Sequence, residues 1–322
     1  MRPFLYTCLL LFVCCGTATA QDIDRNAFSE TQKLVGKLGP MQDSSLKSIV
    51  NSITSRCNSE ACIAYAIYLW TAQHIARDCR HPEKQNNAAS YVLRTREAGS
   101  EGFANLIAEM CKLVHIPCEV VDGLVKVDAE DIGHVDKDAN LGFWNMITVS
   151  GKRYALDASL GAGECSGRHF QKEMTDGWFM TNRRLFSISH FTTDKNFQLL
   201  DEPIDRSEFI AAPIVKAVAN IIALVPPPGT RGILRGRAED TIRLSFNVMP
   251  AANVERIGSA AIVVDGGKPI PIPFAKGASV LTVAIPFPEE GRYPLRLLIN
   301  NYPAFDFQVQ ASAAPKNKTI RH

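Results

Sequence analysis

Four consecutive residues, Pro226-Pro227-Pro228-Gly229, divide this chain in two. Proline has no backbone N–H and a fixed φ, so three in a row extend neither a helix nor a central strand ladder. They read as a stiff linker. Beyond them the hydrophobic period is two: Ile242, Leu244, Phe246 and Val248 alternate with polar residues, as do Tyr293, Leu295, Leu297 and Ile299. Phe305, Phe307 and Val309 repeat the pattern, and Asp265-Gly266-Gly267 and Pro288-Glu289-Glu290-Gly291 supply turns between the runs. Residues 226–312 are therefore expected to form an immunoglobulin-like β-sandwich. The polar tail 313–322 is expected to be disordered, and it carries the sequon Asn317-Lys318-Thr319.

The 322 residues are enough for two domains, and 46 % hydrophobic against 21 % charged residues describes a soluble globular chain with a substantial core. The net charge is +2, from 35 Lys+Arg against 33 Asp+Glu with no block of one sign, so nucleic acid is excluded as the expected partner. Residues 1–20 have the form of a secretory signal peptide. Arg2 precedes the apolar run Phe4 to Val13, and Ala18-Thr19-Ala20 offers a small-x-small cleavage site. That run is too short to be read as a transmembrane segment. The expectation is an exported, extracellular or periplasmic protein of unassigned oligomeric state.

Export changes the reading of the cysteines. Nine, less Cys8, Cys14 and Cys15 of the leader, leaves six: Cys57, Cys62, Cys79, Cys111, Cys118 and Cys165. An even set in an oxidising compartment suggests up to three disulfides, with the pairing open. There is no C-x-x-C and no paired histidine spacing, so no metal is expected. No P-loop, dinucleotide fingerprint or H-E-x-x-H helix is present, so no cofactor is expected either.

Before the linker the pattern is mixed. Residues 24–55 are loosely helical. From Glu60 to Asp78, Ile63, Ile67, Trp70 and His74 form one stripe of an amphipathic helix. Gly99 precedes a second helix, from Ser100 to about Val114, and Ser100 stands where an N-cap or first-turn residue belongs. Short strands are predicted at Glu119–Val125, Phe143–Val149 and Lys152–Leu156. Residues 160–210 show no long period, and a helix is predicted over Ile214–Leu224.

This order carries a set of words. Arg94-x-x-x-x-Gly99-Ser100-Glu101-Gly102-Phe103-Ala104-Asn105-Leu106 is followed by Cys111-x-x-x-x-Ile116-Pro117, then Val121-x-Gly123-x-x-Lys126. Phe143-Trp144-Asn145, Gly151-Lys152-x-Tyr154 and Leu156-Asp157-Ala158-Ser159-x-Gly161-Ala162-Gly163 come next, and later Trp178-Phe179-x-Thr181, His190 and Gln198-Leu199-Leu200. Over residues 45–215 the chain resembles the transglutaminase-like superfamily, and within it the kyphoscoliosis-peptidase-like branch. The resemblance implies an α+β fold: a papain/transglutaminase-like core at 21–225, with helices packed on a small antiparallel sheet. It also implies a Cys-His-Asp site, and here the chain departs from the pattern. Ser100 stands at the Cys position and Gly142 at the His position, while Asp157 matches the Asp. A serine hydroxyl is not ionised near neutral pH and needs a base in contact with it. Gly142 supplies none.

The expected function is that of a pseudoenzyme: an exported, catalytically inactive transglutaminase-like protein that binds or scaffolds a protein or peptide ligand. Phe143, Trp144, Asn145 and His134 are the candidate cleft residues. Two alternatives stand beside it. One is a Ser-variant hydrolase or acyltransferase using Ser100, Asp157 and a recruited histidine, for which His134 in the Asp128–Asn140 loop is the first candidate. His115 and His169 rank below it, and His190 reads as structural. The other alternative is a purely structural extracellular module.

Overall fold

The structure, a computed structural model, describes residues 28–80 and 86–313. The leader expected at residues 1–20 and the sequon lie outside the described residues. The chain begins with helices α1 (Ser29–Leu38), α2 (Leu46–Thr54) and α3 (Glu60–His74). The side chains of Ser45 and Ser59 cap α2 and α3 by accepting the Ser48 and Cys62 N–H groups. Helix α3 was expected to bury one stripe, but every residue from Ala64 to Ala72 is buried. It is apolar on all sides because α1, α2 and, later in the chain, a long helix and a short one surround it.

Strand β1 (Ala76–Arg77), α4 (Ala89–Thr95) and β2 (Glu97–Ala98) lead to α5 (Ser100–Leu113), whose N-cap is Gly99. Three antiparallel strands follow: β3 (Cys118–Val125), β4 (Leu141–Val149) and β5 (Lys152–Leu156). The residues read as irregular hold short elements: α6 (Ala158–Ala162), the hairpin β6 (Gly163–Ser166) and β7 (His169–Lys172), α7 (Arg183–Ser189), β8 (His190–Phe191) and α8 (Arg206–Ala211). Strand β8 completes a sheet of order β5-β4-β3-β8, and α5 lies against β4 and β3. Helices on a small antiparallel sheet are the α+β core that the sequence implied.

The segment Ile214–Leu224, expected as one helix, is divided into β9 (Ile214–Val215), α9 (Ala217–Ile221) and β10 (Leu224–Val225). Tertiary pairing overrides its helical propensity at both ends. The rest of the chain comprises β11 (Ile233–Arg237), β12 (Thr241–Val248), β13 (Ala260–Val264), β14 (Ile270–Pro271), β15 (Phe274–Lys276), β16 (Val280–Pro286), β17 (Gly291–Ile299) and β18 (Tyr302–Ser312). One sandwich sheet has the order β10-β12-β16-β15; the other is β11-β18-β17-β13-β14, with β9 also pairing with β18. Strands on both sides of the proline run thus belong to the sandwich. A single buried cluster joins Trp178, Leu185, Phe191 and Phe209 of the first half to Phe246, Phe305 and Phe307 of the second.

Polar groups fix that junction. Lys216, 7 % exposed, donates to the Val127 carbonyl at 2.9 Å and lies 3.6 Å from an Asp306 carboxylate oxygen. Arg296 grips the same carboxylate through Nε at 2.6 Å and Nη2 at 2.9 Å. Lys126 is more deeply enclosed, 1 % exposed, with Nζ donating to the Ala212 carbonyl at 2.7 Å and lying over the Phe209 ring. Burial pulls its pKa down to about 7, against the opposing pull of Asp131.

The unfolded lysine keeps its proton to about pH 10.4, so between pH 7 and 10 the unfolded chain binds more protons and stability must rise with pH. Relative to Lys126→Met, the wild-type protein should gain about 2 kcal/mol between pH 7 and pH 9. Denaturant midpoints at the two pH values test this, and equal gains in both proteins would refute it.

Candidate functional site

The three positions of the implied site sit where α5, β4 and the end of β5 converge. Ser100 is the first residue of α5, with Gly99 as the cap, so its hydroxyl is free of capping duty. Ser100 Oγ instead accepts the Phe143 N–H at 3.3 Å, which brings the head of α5 beside Gly142-Phe143 on β4. Asn145 adds a second tie, donating from Nδ2 to the Ala104 carbonyl at 2.9 Å and to Cys118 Sγ at 3.4 Å. Positions 100 and 142 are therefore neighbours, as the resemblance requires. Among the described residues, no imidazole bonds the Ser100 hydroxyl.

At position 142 the space for a side chain is filled. Gly142 pairs directly with Gly123 across β3–β4, and a Cβ at 142 would overlap Val125 Cγ2. Gly123 has its own reason to lack a side chain: a Cβ there would meet the Phe191 carbonyl and approach Trp144 Cη2 to 2.7 Å. Val125, Trp144 and Phe186 share one small core cluster over this sheet.

Asp157 is 3 % exposed and fully committed. Its Oδ1 accepts Ser159 N and Ser159 Oγ, each at 2.7 Å, and Leu160 N at 3.0 Å, which makes it the N-cap of α6. Its Oδ2 lies 3.2 Å from His190 Nε2. Burial opposes ionisation, but the His190 imidazole, the Ser159 hydroxyl and the Leu160 N–H outweigh it and hold the carboxyl below the usual aspartate range.

His190 is the histidine Asp157 orients, and sequence reasoning missed this partnership. Its side chain is fully buried. Nδ1 pairs with Ser189 Oγ at 2.8 Å, and that hydroxyl also lies 2.9 Å from the Phe186 carbonyl. The ring stacks on Phe186 at 3.9 Å between centroids, with Trp144 and Trp178 edge-on. Both nitrogens are thus spent, and aromatic rings close the space around them. The hint in the sequence was that His190 is among the words shared with the resembled branch, where it reads as structural.

The remaining candidates are dispersed. Trp144 and Asn145 are buried, Phe143 is half-buried, and His134, His115 and His169 are exposed. Cys57 is joined to Cys62 and Cys79 to Cys165, while Cys111 and Cys118 are free thiols. A hydrogen bond with the Cys118 side chain, and then burial, push the Cys111 thiol up. Among the described residues no group of three His, Cys, Asp or Glu side chains could hold a metal, and no helix is long and apolar enough to cross a membrane. A cavity of about 940 Å³ lies elsewhere, between the two halves. Arg77, Lys126, Lys216, Trp178, Val218 and Tyr302 are among its walls, and no charge pattern in the sequence had grouped them.

Comparison with known proteins agrees with this architecture. The transglutaminase-like superfamily core matches residues 47–171. Mouse kyphoscoliosis peptidase is 26 % identical over 171 residues, covering 52 % of this chain and 26 % of that protein. The Caenorhabditis elegans Lim and transglutaminase domain protein ltd-1 is 24 % identical over 187 residues, covering 54 % and 26 %. Drosophila melanogaster Hillarin is 23 % identical over 217 residues, covering 62 % and 25 %. A transglutaminase-like core thus occupies residues 47–171, and over about half of its length the chain is similar to proteins of the kyphoscoliosis-peptidase type. Its matched part spans about a quarter of the length of these relatives.

Two stability predictions follow from the geometry. Gly142→Ala should cost about 1–3 kcal/mol by overpacking Val125, and adding Val125→Ala should recover part of that loss. A denaturation double-mutant cycle with strictly additive costs would show that the two positions do not compete for space. Asp157→Asn should cost roughly 3 kcal/mol near neutral pH by breaking a buried pair. The carboxyl is held below its unfolded range, so its stabilisation is present above that range and lost as pH falls through the folded value. The wild-type and Asp157→Asn stability curves should therefore converge in acid; a constant gap down to pH 2 would refute the assignment.

Proposed function

We propose that this chain is a catalytically silent transglutaminase-like module, exported, and used to bind or scaffold a protein or peptide ligand. The observation that carries the proposal is Val125 standing in the space a side chain at position 142 would need. An active site of this kind requires a base within reach of the nucleophile. Ser100 has a backbone N–H as its partner, and the imidazole that Asp157 orients is sealed between Phe186, Trp144 and Trp178. A hydroxyl in that setting has no route for its proton.

Export is supported by the leader-like residues 1–20 and by two disulfides, which persist in oxidising compartments. The binding role is supported by the interdomain cavity, whose volume matches the upper end of ligand sites and whose walls mix charged side chains of both signs with apolar ones. The peptidase in the relatives' name describes those proteins, and their chemistry is not carried over to residue 100.

The test is labelling of the full mature chain with a fluorophosphonate probe, with the adduct site read by mass spectrometry. The expected result is no adduct at Ser100 above the background of Ser100→Ala. A Ser100-dependent adduct would overturn the proposal and revive the hydrolase alternative.

A further inference from the structure

A second, smaller cavity of about 160 Å³ opens at the end of α3, on the far side of the β6–β7 hairpin from the large one. Strands β1 and β7 form the partition by their alternation. Ala76, Phe170 and Lys172 line the small cavity, whereas Arg77 and Gln171 line the large one. The titratable residues on the wall of the small cavity are His74, Arg96 and Lys172, and no acidic residue lines it.

The donors around it are under-used. Arg96 lies over the Trp70 ring at 4.9 Å and donates from Nη2 to the Pro40 carbonyl at 3.0 Å. Among the described residues its buried Nε and Nη1 have no acceptor. His74, whose ring is 5.3 Å from Trp70, has a buried Nε2 that likewise has no partner among them. Lys172 gives one of its three N–H groups to the Gln73 carbonyl and is otherwise open to the cavity mouth. Burial drives the His74 pKa down to about 4, and Lys172 and Arg96 add to the effect, as expected where cations meet with no counter-charge.

Buried polar groups are rarely left without partners, and three on two residues that line one small cavity require an explanation. Water would satisfy the hydrogen bonds but would leave the cationic charges uncompensated. An anion does both. The volume lies below that of pockets for whole small molecules, so it suits one charged group of a ligand. We propose that the His74–Arg96–Lys172 cavity is a binding site for a single oxyanion group, a phosphate or a carboxylate. Neither the triad positions nor the interdomain cavity contributes to it, so it stands whether or not residue 100 does chemistry.

The experiment is isothermal titration calorimetry of the full mature chain in low-chloride buffer at pH 7, with inorganic phosphate and with acetate as separate probes. Lys172→Met and His74→Leu are the variants, and Arg96 is left in place because it holds the Pro40 turn. Lys172 is exposed on a hairpin, so Lys172→Met should keep the fold, which thermal unfolding checks. Saturable binding of phosphate, of acetate, or of both is expected, and which of them binds assigns the source of the oxyanion. Each variant should weaken it by about tenfold, the worth of one charge-assisted hydrogen bond. No saturable binding of either anion would overturn the proposal, as would binding unchanged in a folded Lys172→Met.

Discussion

The contact on which the architecture depends is Lys216 against Asp306. Lys216 follows β9 in the first half of the chain, and Asp306 lies in the middle of β18 in the second. Strand β9 pairs with β18 in the register Ile214 to Asp306 and Val215 to Phe305, and Lys216 N then donates to the Ala304 carbonyl. Apolar burial drives the two halves together but does not choose an orientation, because it is non-directional. The ladder and the carboxylate choose it: a one-residue slip would turn Lys216 to the other face and leave Asp306, 4 % exposed, with Arg296 alone.

From this junction follow features that the sequence alone does not suggest. The proline run is flanked on both sides by strands of the same sandwich, so stiffness in the linker is matched by docking on either side of it. Trp178 and Phe209 then share a core with Phe246 and Phe305. The large cavity is what remains between surfaces held apart by the β6–β7 hairpin, and the Cys79–Cys165 disulfide pins that hairpin to the chain after β1. The hairpin in turn separates the two cavities, with successive residues of β7 facing one and then the other.

Local signals made part of this legible. Strand β5 falls on the predicted residues, and α5 begins at Ser100 because Gly99 and the apolar spacing of Phe103, Ile107 and Met110 are local. The sandwich strands were readable because each buries one face and so alternates. Helix α3 misled, because its apparent stripe is part of a surface that is apolar all round and its environment is set by distant helices. Segment Ile214–Leu224 misled for a similar reason: its ends are claimed by β18 and β12, which lie far along the chain. Positions 100, 142 and 157 could be placed by resemblance. No pattern in the sequence indicated that Val125 would fill the space at 142, or that Asp157 would turn to His190.

That last pairing gives the one residue that matches the implied triad a structural role of its own. A cysteine or histidine kept only for chemistry has no other claim on its position. Serine at 100 still meets the Phe143 N–H, and glycine at 142 lets β3 and β4 close over Val125. Asp157 differs, because removing it would leave the α6 N-terminus uncapped and the fully enclosed His190 without its Nε2 partner. These hydrogen bonds give the carboxylate a structural role in its own right, so its presence is no argument for catalysis. Arg96 and His74, beside the small cavity, hold buried nitrogens that have no partner among the described residues.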